Sequence, residues 1–239
     1  MREGHRARRF RRLIEALRLD ADSRYSLGSS SGARIRVSYA SMPTADFFCK
    51  FGLFAIEGFF DRDLCSQLCA DVRAGIPSIG LIGSGKVDRQ VRSVNRVRVN
   101  DVSTALVRTR LIDVKPDLER HFDTVLTDCQ GPHFLHYVTG DFYEYHRDRR
   151  SDQDAPAMAK SRRISAVIFL NGTSAEPRDS MYGGGALTFY ELLDDPTGRS
   201  LGFPLQAEEG LLIAFRADVP HSVAPVTHGD RYTIAGWYV

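Results

Sequence analysis

This sequence has few cysteines, almost no net charge and no long apolar run. The 239 residues include four cysteines, and 32 Lys and Arg stand against 30 Asp and Glu. Cys65 and Cys69 are four residues apart, which is neither a Cys-x-x-Cys metal spacing nor a disulfide framework. We therefore expect reduced, buried thiols, as in most cytosolic proteins.

The near-neutral charge and the lack of long apolar runs also narrow the choice of location and partner. A net charge of +2 gives no reason to expect nucleic acid or an anionic membrane as a partner. No apolar run reaches the length of a bilayer span, and the Arg-rich start lacks the apolar stretch of a secretory signal. We predict a cytoplasmic protein that makes no membrane contact.

The composition divides the chain at about residue 42. Residues 1–42 combine an arginine cluster with a Ser/Gly-rich stretch and predict a basic N-terminal extension. Residues 43–239 are predicted to form one domain, because their number suits a single hydrophobic core.

Helices are expected in the first half of this domain. Asp61 is a good helix N-cap, and an apolar stripe of Leu64, Leu68 and Val72 follows it. A second helical region is expected within 103–126, interrupted by Pro116, whose ring cannot continue a helix.

The second half of the domain has the pattern of a β structure. Short apolar or alternating runs separated by Gly, Pro, Asn and Asp predict strands at 134–138, 164–170, 186–190, 210–215, 223–226 and 232–239. Helices followed by strands predict a helical layer on a β core. The predicted class is mostly β with flanking helices (α+β), with a jelly roll at about 132–239 whose mouth can hold a metal and a ligand.

Three side chains of this region have the types and order of a non-haem iron site. His146 and Asp148 are separated by one residue, so both point to the same side of an extended segment. His221 could add a ligand from a distant strand, and two histidines with one carboxylate leave three positions for a co-substrate and O2. A single His-x-Asp is common as a surface pair, but the ordered set favours the metal site.

Two further residue types suit a carboxylate co-substrate. Arg231 follows His221 by ten residues and is placed to begin the last strand. A planar guanidinium can bind a carboxylate through two hydrogen bonds, although Arg231 could equally be a surface residue near a turn. Tyr137 and Tyr143 precede the metal pair, and either hydroxyl could reach the ligand unless its ring only packs in the barrel. Tyr137 is the preferred candidate.

These residues resemble the prolyl 4-hydroxylase-like branch of the 2-oxoglutarate and Fe(II)-dependent dioxygenases. The similarity covers about 132–239 and includes Tyr143-x-x-His146-x-Asp148, the run Gly184-Gly185-Ala186-Leu187-Thr188-Phe189, and His221-x-Val223-x-Pro225 followed by Arg231. The resemblance implies a double-stranded β-helix that uses Fe(II), 2-oxoglutarate and O2, with ascorbate as an associated reductant of the iron.

The resemblance also implies a role for each site residue. His146, Asp148 and His221 correspond to the iron ligands, Arg231 to the group that binds the distal carboxylate of 2-oxoglutarate, and Tyr137 to a tyrosine near the co-substrate. A further family tyrosine that contacts 2-oxoglutarate aligns with Ile168, which has no hydroxyl.

The resemblance narrows the reaction but leaves the substrate open. Asp148 favours hydroxylation, because halogenating relatives replace the carboxylate ligand. Nucleic acid is not expected as the substrate, because demethylating relatives carry a second arginine where this chain has Trp237. The basic segments 81–100 and 147–163 could grip a peptide or be solvated loops. We therefore expect a protein or peptidyl hydroxylase, with a small-molecule hydroxylase and a catalytically silent binding protein as alternatives.

Overall fold

The computed structural model describes residues 45–79, 91–192 and 201–239. The extension predicted for 1–42 lies outside these residues. The described helices are α1 Ala45–Cys49, α2 Arg62–Ala74, α3 Asp101–Asp113, α4 Lys115–Phe122 and α5 Ala157–Ser161. The described strands are β1 Phe54–Ile56, β2 Ile76–Ile79, β3 Arg92–Ser93, β4 Asn95–Arg98, β5 Cys129–Tyr137, β6 Phe142–His146, β7 Ile164–Phe169, β8 Gly183–Gly184, β9 Leu187–Phe189, β10 Phe203–Pro204, β11 Leu212–Arg216, β12 His221–Val223, β13 Val226–His228 and β14 Arg231–Tyr238.

The strands pair into two larger antiparallel sheets and one short ribbon. The larger sheet has the order β1-β11-β7-β14-β5-β4-β2, and the smaller one has the order β10-β9-β12-β6-β3. Strands β13 and β8 form the ribbon. Non-consecutive neighbours and antiparallel pairing agree with the predicted jelly roll.

The larger sheet separates two cores, because alternate side chains of a strand point to opposite faces. Its outer face packs against α2, α3 and α4, so that Phe134 and Ile168 share a cluster with Leu68. Its inner face packs against the smaller sheet, so that Leu135 and Phe169 share a second cluster. The predicted helical layer on a β core is therefore confirmed.

The predicted helix signals also hold. Asp61 caps α2 by accepting a 2.8 Å hydrogen bond from the Leu64 backbone N–H. The second helical region is divided into α3 and α4, with Pro116 in the first turn of α4, where its missing N–H leaves no helical hydrogen bond unmade.

Other expectations need correction. Residues 223–226 do not form one strand, because β12 ends at Val223 and β13 begins at Val226, with Pro225 between them unable to donate to a ladder. Segment 81–100 is not simply a loop, since β3 and β4 lie within it. Three cysteines are buried as expected, but Cys49 is exposed.

The early strands were not predicted, because β1 to β4 are short and their pairing is with distant parts of the chain. Among the described helices, none combines the length and the apolar character that crossing a bilayer requires.

Replacing Tyr238 with Phe is expected to weaken the attachment of the helical layer to the sheet. The buried Tyr238 hydroxyl donates a 2.7 Å hydrogen bond to the Leu111 carbonyl, in the last turn of α3, where carbonyls lack helical partners. We expect the free energy of unfolding in urea to fall by about 1–2 kcal/mol. Val102→Ala, on the exposed side of the same helix, should change it by less than about 0.5 kcal/mol. Equal effects of the two changes would contradict this role of Tyr238.

Candidate active site

Two histidines lie directly opposite each other on neighbouring strands of the smaller sheet. β6 and β12 pair in a register that places His146 against His221, with ring centroids 4.2 Å apart. His146 Nδ1 is 2.8 Å from the Glu144 carbonyl oxygen, and His221 Nδ1 is 3.0 Å from that of Val219. A carbonyl only accepts, so each Nδ1 carries the proton and each Nε2 keeps a free lone pair.

Asp148 completes a cluster with these two nitrogens. Its carboxylate oxygens are 3.7 Å from His146 Nε2 and 3.6 Å from His221 Nε2. One ligand atom from each of the three residues lies within 4.8 Å of the others, so the cluster could hold a metal ion. β6 ends at His146, so Asp148 reaches the cluster from just beyond the strand and not from an extended segment.

The protonation states of the cluster suit metal binding. Burial alone would raise the pKa of Asp148, but the neighbouring His221 and His146 and a 2.7 Å hydrogen bond from the Ser165 hydroxyl hold it far below its usual range. Burial lowers the pKa of His221 to about 4, with a smaller contribution from His146. At neutral pH the site therefore offers a carboxylate and a neutral His221 imidazole, which are the forms that ligate metals.

Aromatic rings cover the two imidazoles. Tyr143 stacks on His146 at a centroid distance of 3.6 Å, and Phe215 meets His221 edge-on at 4.8 Å. Burial raises the pKa of Tyr143 to about 12, so its hydroxyl stays protonated. These rings fix the imidazole planes and limit the access of water to the cluster.

Arg231, the candidate carboxylate-binding residue, is buried inside the barrel. It begins β14 as predicted, pairs with Tyr137 of β5, and is only 1% exposed. Its guanidinium carbon is 4.8 Å from the centre of the Tyr137 ring, and one terminal nitrogen donates to the Thr233 hydroxyl at 3.3 Å. Among the described residues its Nε–H has no hydrogen-bond partner and no carboxylate forms an ion pair with it.

Asn171 fixes the backbone on both sides of Arg231. Its side-chain oxygen accepts a 3.0 Å hydrogen bond from the Tyr232 N–H, and its side-chain nitrogen donates to the Asp230 carbonyl at 2.8 Å. Because both peptide groups next to Arg231 are held, the arginine enters the barrel in a fixed direction.

The position on β7 that faces Arg231 differs from the one expected. Ile168 belongs to the outer core beneath the helices, whereas the next residue, Phe169, points inward and lies 5.3 Å from the Arg231 guanidinium carbon. Phe169 also lacks a hydroxyl, so no tyrosine of β7 faces the arginine.

Sequence reasoning missed Arg162, Ser165 and Tyr182 at this site, and it named Trp237 only as the residue that stands in place of a second arginine. The guanidinium of Arg162 lies 3.8 Å over the Trp237 ring and donates to the Asp148 backbone carbonyl at 3.5 Å. The alternation of β14 could have revealed Trp237, because it is six residues after Arg231 and so points to the same face. No local sequence signal identifies the others.

The match to a protein-family model agrees with this geometry. Residues 132–239, a little under half of the chain, match the model described as the 2OG-Fe(II) oxygenase superfamily. This region is similar to the 2OG-Fe(II) oxygenases over its whole length. The superfamily recognised from the motifs is confirmed, and with it the 2-oxoglutarate-dependent dioxygenase class and its use of Fe(II), 2-oxoglutarate and O2. No curated protein matches the sequence.

Solved structures of prolyl hydroxylases share the fold. A Pseudomonas putida prolyl-4-hydroxylase is 24% identical with a TM-score of 0.59, and the match covers 81% of this chain and 95% of that one. A Trichoplax adhaerens prolyl hydroxylase, in complex with a hypoxia inducible factor peptide fragment, is 16% identical with a TM-score of 0.60, covering 81% and 86%. A viral collagen prolyl hydroxylase from Paramecium Bursaria Chlorella virus-1, in a 2OG complex, is 16% identical with a TM-score of 0.53, covering 78% and 94%. The predicted jelly-roll fold is therefore confirmed.

Replacing Ser165 with Ala is expected to weaken metal binding at the cluster. The Ser165 hydroxyl is a 2.7 Å donor to Asp148, and loss of such an orienting hydrogen bond typically costs about 10–100-fold in metal affinity. Titration with Mn(II), followed by electron paramagnetic resonance, measures the affinity directly.

Ser222→Ala provides the matched control for this experiment. Ser222 follows His221 and its hydroxyl bonds that of Tyr190 at 3.1 Å, outside the cluster. Its replacement should leave the Mn(II) affinity unchanged, and an equal loss in both variants would rule out a specific role for Ser165.

Proposed function

We propose that this protein hydroxylates a prolyl or other residue of a peptide with Fe(II), 2-oxoglutarate and O2. His146, Asp148 and His221 would bind the iron, Arg231 would bind the distal carboxylate of 2-oxoglutarate, and Tyr137 would flank the co-substrate. The observation that carries the proposal is the convergence of two Nε2 atoms and a carboxylate within 4.8 Å.

The donor set fits Fe(II). Two imidazoles and one carboxylate are the ligands of non-haem iron oxygenases, and they leave three coordination positions for a chelating co-substrate and O2. The Nδ1 protons of His146 and His221 are held by backbone carbonyls, so the free Nε2 atoms keep their direction toward the metal position.

Arg231 fits a dicarboxylate. A buried guanidinium without a carboxylate partner is costly, and a ligand carboxylate that enters beside it removes that cost through charge-assisted hydrogen bonds. The aromatic rings of Tyr137 and Phe169 around the guanidinium leave its unused N–H as the group that the ligand must meet.

Bound Fe(II) supplies the oxidation, in which 2-oxoglutarate and O2 become succinate and CO2 while one oxygen atom enters a substrate C–H bond. The chain's own residues orient and shield the reacting groups. Ser165 holds the Asp148 carboxylate in place, Tyr143 and Phe215 cover the imidazoles, and Arg231 fixes the far end of the co-substrate. Excluding water in this way limits side reactions of the activated site.

An aromatic wall beside the cluster supports a prolyl substrate. Tyr143 stacks on His146. The Arg162 guanidinium lies over the Trp237 ring and donates a hydrogen bond to the Asp148 backbone carbonyl. A saturated five-membered ring can pack against such rings, and the guanidinium can donate to a peptide carbonyl. The peptide present in the Trichoplax adhaerens prolyl hydroxylase structure also supports a peptide substrate.

A side-by-side substrate comparison tests the proposal. Proline-containing peptides and free amino acids are each incubated with the Fe(II)-loaded protein, and succinate and the hydroxylated product are both quantified. We expect coupled turnover with peptides. Coupled turnover with free amino acids alone would identify a small-molecule hydroxylase, and no succinate with either class would indicate a binding protein.

His146→Ala and Asp148→Ala are each expected to abolish succinate formation. Each change removes a ligand from a three-ligand site and leaves the hydrophobic cores untouched, so circular dichroism and thermal unfolding should change little. His121→Ala is the control, because His121 lies on α4 in the helical layer and should retain full activity. Wild-type activity in either cluster variant would eliminate the proposed iron site.

A further inference from the structure

Tyr182, immediately before β8, carries a polar group that the fold leaves without a partner. The side chain is fully buried, and among the described residues its hydroxyl makes no hydrogen bond. Buried polar atoms in folded proteins are nearly always paired, so an orphaned phenol indicates a missing ligand or solvent molecule. Arg231 Nε is a second orphan of the same kind.

The two orphaned groups lie side by side. The Arg231 guanidinium carbon is 5.9 Å from the centre of the Tyr182 ring. Gly185 separates them with no side chain: a Cβ there would stand 2.9 Å from Arg231 Cδ and 3.2 Å from Tyr182 Cε2. Gly185 also has a φ of +60°, which favours glycine. The glycine thus allows the phenol and the guanidinium to approach the same space.

Arg231 leaves the Tyr182 O–H proton without an acceptor. A guanidinium has only donors, so it can donate to the phenol oxygen but cannot accept the phenol proton. Burial raises the pKa of Tyr182, and the Arg231 charge opposes this only in part, so the phenol remains a donor at neutral pH. The phenol proton therefore calls for a separate acceptor beside the guanidinium, and a carboxylate has lone pairs for both groups.

We infer that Tyr182 donates a hydrogen bond to the distal carboxylate of 2-oxoglutarate, beside Arg231. The inference rests on the proposed function. Phe169 on β7 has no hydroxyl that could bind 2-oxoglutarate, and Tyr182 would supply that hydroxyl instead. It also explains why a tyrosine precedes the glycine run at this position.

The test is co-substrate binding to Tyr182→Phe in the Mn(II)-loaded full chain, measured by isothermal titration calorimetry. Loss of one hydrogen bond to a charged group is expected to raise the dissociation constant of 2-oxoglutarate roughly tenfold or more. Binding of 2-oxobutyrate, which lacks the distal carboxylate, should be the same in wild type and variant. An unchanged constant for 2-oxoglutarate, or an equal loss for both keto acids, would overturn the inference.

Two controls separate this result from other failures. Tyr190→Phe removes a hydroxyl whose partner is Ser222, and it should not affect either keto acid. Without co-substrate, Tyr182→Phe should unfold at a temperature no lower than wild type, because the lost hydroxyl has no partner to lose. If wild type itself binds no 2-oxoglutarate, the proposed function fails, whatever the variant does.

A separate observation concerns the charge of the substrate. Arg96 of β4 pairs with Leu135 and has the parity of Val94, so it lies on the inner face of the larger sheet. On the same face, the His133 ring is 4.8 Å from that of Trp237, which Arg162 covers.

These cations have no described carboxylate partner. Arg162 bonds neutral acceptors, the Gln130 side-chain oxygen and the Asp148 backbone carbonyl, and no ion pair is formed by Arg96 or Arg162 with a described residue. Burial is the main cause that lowers the pKa of His133 to about 3, and the charges of Arg96 and Arg162 act in the same direction. Asp148 is the nearby carboxylate, and a metal would share its charge.

We infer that the peptide substrate carries an acidic residue close to the reacting position, and that Arg96 pairs with it. This second inference also rests on the proposed function. The exposed Arg96 and the half-buried Arg162 are positive charges that form no ion pair with a described residue, and an acidic peptide would complement them.

Charge reversal tests the pairing. Peptides with proline flanked by Glu, Gln or Lys are compared by kcat/KM with wild type and with Arg96→Glu. Wild type is expected to prefer the Glu peptide to the Lys peptide by roughly tenfold or more. Arg96→Glu should invert that order, while Arg110→Glu on α3, with the same change in net charge, should preserve it.

Two outcomes separate a failure of the Arg96 pairing from a failure of the proposed function. An identical peptide ranking in wild type and Arg96→Glu would refute the role of Arg96. Failure of the Mn(II)-loaded wild type to bind 2-oxoglutarate would instead contradict the proposed function.

Discussion

The pairing of β6 with β12 is the interaction on which the candidate site depends. This register places His146 against His221, and the Nδ1 bonds to the Glu144 and Val219 carbonyls then turn both Nε2 atoms toward Asp148. A slip of one residue would send one of the imidazoles to the opposite face of the sheet. Most of the packing around the site acts to fix that register. Phe189 of β9 lies opposite His221 in the smaller sheet, and Phe215 of the larger sheet contacts the His221 ring edge-on.

Alternate side chains along the strands of the larger sheet have different surroundings. Ile168 and Tyr238 point outward and join the sheet to the helices, whereas Phe169 and Arg231 point inward. Packing against the helices and the proposed ligand binding therefore involve different faces of the same strands. Asn171 connects the two functions, because it holds the chain where β14 begins and so sets the direction from which Arg231 enters the barrel.

Local sequence signals predicted the parts of the fold that depend on local interactions. The Asp61 cap marked a helix start, Pro116 marked the interruption between two helices, and the pattern of residues 232–239 marked the last strand. The early strands β1 to β4 escaped detection because two to four residues carry little pattern and their partners are distant in sequence. The side chains that converge at the cluster could be proposed from their order, but their distances depend on strand pairing that no local pattern contains.

The sequence could not identify which residue of β7 faces Arg231. Both Ile168 and Phe169 are apolar and fully buried, so the sequence offers no sign of which one faces the arginine. Only the register with β14, where Ile234 lies opposite Ile168, assigns Phe169 to the inner face. Tyr182 was missed for a related reason, because it lies outside any long strand and reaches Arg231 only across the ribbon of β8 and β13.

The polar groups left without partners link the stability of the domain to its ligands. Arg231 Nε and the Tyr182 hydroxyl are buried donors without acceptors among the described residues, and each such group costs about 1–3 kcal/mol of folding free energy. The surrounding aromatic and strand packing holds them in place despite that cost, so the binding groups are oriented before a ligand arrives. A carboxylate that satisfies both donors then recovers this energy as affinity, and by mass action it stabilises the folded state. In the proposed function, co-substrate recognition would follow from buried polar atoms that the described residues leave unpaired.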